Sequence, residues 1–248
     1  MFNFPRMFST DSAKAIKADK YGYLNGINYA AQHTSAGVGN MCPNASPGCI
    51  SLCLGKYSGQ ASMVADLENG TNNVRESRKR KTQFMMKDMQ GYLQECCEHI
   101  ERMQIKADKL GKKLCIRMNG STDIAFERIK IKARGGVNIF KAFPDVQFVD
   151  YTKIASRFKP SLPNNLHLTF SRSEINEAEC FAMLAKGYNV AVVFGDTFPA
   201  DYLGAKVYSG DNHDLRHLDP KGGNIIALTP KGHKAKRDTS GFVVRNAA

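Results

Sequence analysis

Tryptophan is absent from the sequence, and no apolar run approaches the roughly 20 residues that a bilayer-spanning helix requires. The absence of tryptophan decides nothing, while the short apolar runs lead us to expect a soluble protein. Residues 1–6 offer neither a basic region followed by an apolar core nor a small-residue cleavage site, so secretion is not expected and the setting is read as a reducing cytoplasm. There, seven cysteines, an odd number, are expected as thiols, metal ligands or cluster ligands before disulfides. Acidic residues are also scarce: 23 Asp and Glu against 35 Lys and Arg leave a net charge of +12, a field attractive to nucleic acid or anionic metabolites. C-x2-C knuckles, which structural zinc sites usually pair, are missing.

What is present is a concentration of thiols. Cys42, Cys49 and Cys53 follow a C-x6-C-x3-C spacing, and Pro47-Gly48 breaks the peptide between the first two. Cys49 and Cys53 are four residues apart, the spacing that puts two side chains on one helical face. Three thiolates leave one position open on a tetrahedral metal or on one iron of a four-iron cluster. Zinc with His33, His213 or His217 as fourth ligand is the alternative reading.

The length of 248 residues suits one domain over 1–248, with the cysteine loop at 37–56 and a basic tail at 230–248. Strand patterns occur near 21–31, 114–119, 146–153, 166–170, 187–194, 205–208 and 224–228. Helix is expected through 58–110, broken near Asn69-Gly70 and near Gly91, and again after Ser171-Arg172-Ser173-Glu174, which reads as a capping box. Alternating strands and helices imply a parallel sheet, hence an α/β fold in a full or partial (β/α) barrel of about six parallel strands. Polar residues gather just past the strands' carboxyl ends, where such folds build their sites. The cysteine loop, following the first strand, falls on the same edge.

Arg117 interrupts an apolar strand, and a buried arginine demands a partner, for which Asp123, Asp150 and Glu174 are candidates. The carboxylates of 211–219 read either as a cation or hydroxyl site or as caps of a surface loop. Arg75, Arg78, Lys79, Arg80 and Lys81 form the densest basic run, a solvated helix face or, with the basic tail, a grip on nucleic-acid phosphates.

The set Cys42-Pro43-Asn44-Ala45-Ser46-Pro47-Gly48-Cys49, Arg117-Met118-Asn119-Gly120-Ser121-Thr122-Asp123, Asp150-Tyr151-Thr152-Lys153 and Ser171-Arg172-Ser173-Glu174 resembles the bacteriophage gene product 88-like family, which implies a phage protein in the host cytoplasm. More distantly the chain is similar to radical S-adenosylmethionine barrel proteins, whose three cysteines follow the first strand at the closer spacing C-x3-C-x2-C. That similarity implies a [4Fe-4S] cluster on Cys42, Cys49 and Cys53, with S-adenosylmethionine as a further ligand. Arg117, Asn119, Asp123, Lys153, Ser171 and Arg172 are then expected to form a polar pocket facing the cluster. The competing expectation is a metal-stabilised nucleic-acid-binding accessory of phage replication or host takeover.

Overall fold

Alternation of apolar side chains builds a single sheet. The computed structural model describes residues 6–245, so the sequence reading of residues 1–5 and the last three residues of the basic tail lie outside it. The strands are β1 (Tyr23–Ile27), β2 (Lys113–Arg117), β3 (Gln147–Thr152), β4 (Leu166–Ser171), β5 (Val190–Val193), β6 (Asp201–Tyr202), β7 (Ala205–Ser209) and β8 (Ile225–Leu228). The helices are α1 (Ala13–Lys17), α2 (Pro47–Ser51), α3 (Leu54–Tyr57), α4 (Asn73–Lys87), α5 (Met89–Lys109), α6 (Ile139–Ala142), α7 (Glu177–Ala185) and α8 (His233–Lys236), with short 3-10 turns between.

Along the strands, successive residues point to opposite faces. Leu114, Ile116, Phe148, Leu166 and Leu168 pack in a core with α4 and α5, into which α5 sends Tyr92, Leu93, Cys96, Cys97 and Ile100. Phe170, Val190, Val192, Ile225 and Ala227 continue that face against Cys180 and Met183 of α7. Each such side chain contributes about 1.5–3 kcal/mol by leaving water. Gly26 lets α5 close on β1, because a Cβ there would sit 2.5 Å from the Met103 methyl. The opposite face carries Cys115 and Val149, covered by Leu215 and Ala18.

The parallel sheet is as expected; the closed barrel is not. The order is β1-β2-β3-β4-β5-β8-β7-β6, parallel from β1 through β7 with β6 antiparallel at the far edge. Two residues with positive φ, Leu203 at 51° and Gly204 at 73°, make the tight turn between β6 and β7. β6, too short to show as a strand pattern, terminates the sheet. Closure is also pre-empted from within, because the segment after β7 crosses the inner face, where its 3-10 turn at Arg216–Leu218 meets β3 and β4. Across the gap to the β1 side the same segment makes side-chain contacts. The Lys17 ammonium donates to the Asp211 carbonyl at 2.8 Å, and the rings of His213 and His217 pack edge-on against Tyr21 and Tyr23.

The helical region divides differently from the expectation. Residues 59–72 form a 3-10 turn and loop, and the break between α4 and α5 falls at Asp88, whose carboxylate accepts the Gly91 N–H at 2.8 Å. Gly91 therefore lies in the first turn of α5, not at a break. Between Ile124 and α6 the chain runs in 3-10 turns.

Candidate functional site

The cysteine loop is held by specific hydrogen bonds. Ser46 caps α2, its hydroxyl accepting the Cys49 N–H at 3.2 Å, and Pro47 follows at the first helical position, where its missing N–H costs nothing. Glu174, just past β4, grips the same turn: one carboxylate oxygen accepts the Gly48 N–H and the other the Ser46 hydroxyl, both at 2.7 Å. This carboxylate is thus neither the cap of α7, which starts at Glu177, nor the partner of Arg117. Its place in the expected capping box is taken by Asn176, which accepts the Ser173 N–H and donates to the Ser171 carbonyl. Cys49 and Cys53 do not share one helix either, because α2 stops at Ser51 and Cys53 precedes α3.

The three thiols nevertheless share one electrostatic neighbourhood. Burial pushes Cys42 up to about 11; a backbone N–H from His33, 3.4 Å from its sulfur, works in the opposite direction. Burial likewise pushes Cys53 up to about 12 against a backbone hydrogen bond from Gly55. Cys49 raises both and Lys153 lowers both, so thiols and ammonium act on one another across a common space.

That space is a cavity of about 950 Å³ at the carboxyl edge of the sheet. Cys42, Cys49 and Cys53 line it together with Arg117, Asp123, Lys153, Ser171 and Arg172, five of the six expected pocket residues. The sixth, Asn119, is buried beside it: its amide donates to Asp150 at 2.6 Å and to the Ile124 carbonyl at 2.9 Å, and its oxygen accepts from Thr122 and the Ile124 N–H. Asn119 shapes the turn after β2 and is not among the residues lining the cavity.

Two ion-pair networks brace the floor and wall. Arg117 pairs with Asp214 at 3.0 Å, and its guanidinium lies 4.5 Å from the Tyr151 ring centre. Burial works against its charge, and Asp214 first among its neighbours more than restores it. Asp123 and Asp150, two of the expected partners, instead meet Arg157, which also binds Glu127; the three contacts are 3.0, 3.1 and 3.0 Å. Arg157 carries no sequence signal, since Glu127 and Asp123 lie 30 and 34 residues from it, and Asp214, though one of the carboxylates noted at 211–219, gives no local sign of its pairing with Arg117, 97 residues away. Asp214, Asp219 and Asp211 face Arg117, Arg216 and Lys231 respectively, so the carboxylates of 211–219 are spread among different cations.

Arg172 donates to the carbonyls of Gly241 and Phe242 at 2.6 and 3.1 Å, fixing the chain's late segment as another cavity wall. There the Lys153 ammonium lies 5.6 Å from the Phe242 ring centre. The segment enters the sheet itself: Val244 bridges Phe194 in parallel, where β5 runs on past its pairing with β4.

Among the described residues, no three His, Cys, Asp or Glu side chains converge on a point that would hold a single metal ion. His213 and His217 pack against Tyr21 and Tyr23, and the His33 ring faces the Thr34 hydroxyl at 3.1 Å. The basic run is also largely spent inside. Arg75 is buried, donating to the carbonyls of Lys56, Ala61, Leu67 and Gly70. Lys81 is buried against the Met7 carbonyl, Lys79 pairs with Glu76, and Arg80 is exposed. In the tail, Lys234 pairs with Glu68 and Arg245 with Asp196.

No helix among the described residues is long and apolar enough to cross a membrane. No curated protein and no solved structure matches the chain. The family model described as gene product 88 matches residues 6–246. With nearly its whole length inside that match, the chain belongs to the gene product 88 family of phage proteins.

Proposed function

We propose that this phage protein binds a [4Fe-4S] cluster through Cys42, Cys49 and Cys53, on a radical-SAM-like partial barrel. The observation that carries the reading is that the three free thiols line one cavity with Arg117, Lys153 and Arg172 at the carboxyl edge of a parallel sheet. A cluster distributes its thiolates over separate irons, so they need not converge on one point as the ligands of a single zinc must. The donor set fits such a group: backbone N–H groups point at the sulfurs of Cys42 and Cys53, an arrangement that favours thiolates and tunes clusters. Lys153 adds positive charge beside them.

When bound, such a cluster would supply electron transfer and an iron free to take an external ligand, S-adenosylmethionine or another molecule bearing an amine and a carboxylate. Arg172 and Lys153 would then receive the anionic end of that ligand, while Glu174 holds the turn that carries Cys49. The test is anaerobic purification followed by iron and sulfide analysis. A brown protein with a broad visible band, lost in each of Cys42→Ala, Cys49→Ala and Cys53→Ala, is expected. A colourless protein holding one zinc would refute the reading. Binding of S-adenosylmethionine to the reconstituted protein then separates an enzyme of the radical type from a cluster-bearing scaffold.

A further inference from the structure

On α4, Arg75, Arg78 and Lys81 stand at three-residue spacing along one face, and that face is turned inward. Arg75 is satisfied by four carbonyls, but the other two are not so well provided. The Arg78 guanidinium donates to the Gly55 carbonyl and lies 4.8 Å from the centre of the Tyr29 ring. The Lys81 ammonium has, among the described residues, a single acceptor, the Met7 carbonyl at 2.9 Å. Both line the same cavity as the thiols, Lys81 is 7% exposed, and no carboxylate among the described residues is in ion-pair reach of either.

A buried ammonium beside a half-buried guanidinium without a counter-ion is costly, and an anion brought from outside relieves that cost. Burial first, and the Arg78 charge with it, bring Lys81 down to about 8, and the Arg78 charge is also felt at Cys53. The pair therefore stands beside the thiols, on the α4 wall.

We propose that Arg78 and Lys81 form a phosphate subsite, so that the cavity takes, besides any ligand of the cluster, a small molecule carrying a phosphate group. This rests on the reading of the cavity as the functional site and adds the class of its ligand. A planar fork beside a point charge suits a phosphate, and two adjacent positive charges match a dianion. A cavity of about 950 Å³ falls in the range of small-molecule pockets.

The test uses the full chain, purified without oxygen, with its iron and sulfide measured on the same sample. Inorganic pyrophosphate, titrated at constant ionic strength, is expected to bind saturably and to raise the unfolding temperature. In Lys81→Met the affinity should fall about tenfold or more, the loss of one hydrogen bond to a charged group. The same variant should be as stable as wild type or more stable without pyrophosphate, since a buried uncompensated charge has gone. Arg78→Lys, which keeps the charge and removes the fork, should weaken binding less, and Arg80→Gln, on the surface, not at all. No saturable binding by wild type, or equal binding by Lys81→Met and Arg78→Lys, would overturn the subsite. So would binding of a single-stranded oligonucleotide that responds to Arg80→Gln and ignores Lys81→Met. A colourless sample that still binds pyrophosphate through Lys81 would remove the cluster and leave the subsite standing.

Discussion

Glu174 shows how much one side chain can govern when its partners are backbone. Its carboxylate accepts from Gly48 and Ser46, both buried, so truncation strands two donors in the turn that carries Cys49. Glu174→Ala should cost about 2 kcal/mol or more in chemical denaturation, with Glu174→Gln between it and wild type because the amide keeps one acceptor. On the cluster reading, iron retained after purification should fall in the same order. The thiols were legible in the sequence because cysteines so closely spaced are rare, and Arg117 because an arginine inside an apolar strand demands an answer. The answers were not legible. Asp214 lies 97 residues from Arg117, and Glu174 lies 126 residues from Gly48. Pairings of that range are fixed by how the strands line up, which no local pattern encodes.

Elements were easier to read than their joints. Seven of the eight strands follow from short runs rich in apolar and β-branched residues between turn residues. The two-residue strand β6 leaves no periodicity to detect. Asp88, an N-cap, divides α4 from α5 where glycine at 91 was the more conspicuous breaker, since a cap works through one hydrogen bond and a glycine only through entropy. The segment that crosses the sheet's inner face carries His217, which faces His167 of β4. Burial first, then neighbouring positive groups, hold both at about 4, below the 6.5 of an unfolded histidine. Between those values the unfolded chain binds protons that the folded chain refuses. The contribution is therefore complete above about pH 6.5 and is lost as pH falls toward 4. Unfolding free energies measured from pH 7 to 4 should decline accordingly, and His217→Gln should flatten the decline by about one proton's share. A decline unchanged in that variant would place the titration elsewhere.

For the whole molecule, charge and strand order set the outline. The alternation of strands and helices identified a parallel sheet but not its closure, because closure depends on what fills the inner face, and that filling comes from a loop. The excess of positive charge was legible as a number, yet its meaning depended on direction. Arg75, Arg78 and Lys81 point inward and Arg80 outward, a distinction made only when α4 finds its place on α5 and the sheet.

The bridge between Val244 and Phe194 bears on the order of events during synthesis. The cysteine loop is made within the first quarter of the chain, but the wall carrying Phe242 is not made until 200 residues after Cys42. Until then the cavity that the thiols line lacks this wall. On the cluster reading, a chain ending at Arg237 should keep its sheet, by circular dichroism, yet lose its iron to a chelator faster than the complete chain. Equal rates would mean that the last wall does not guard the thiols.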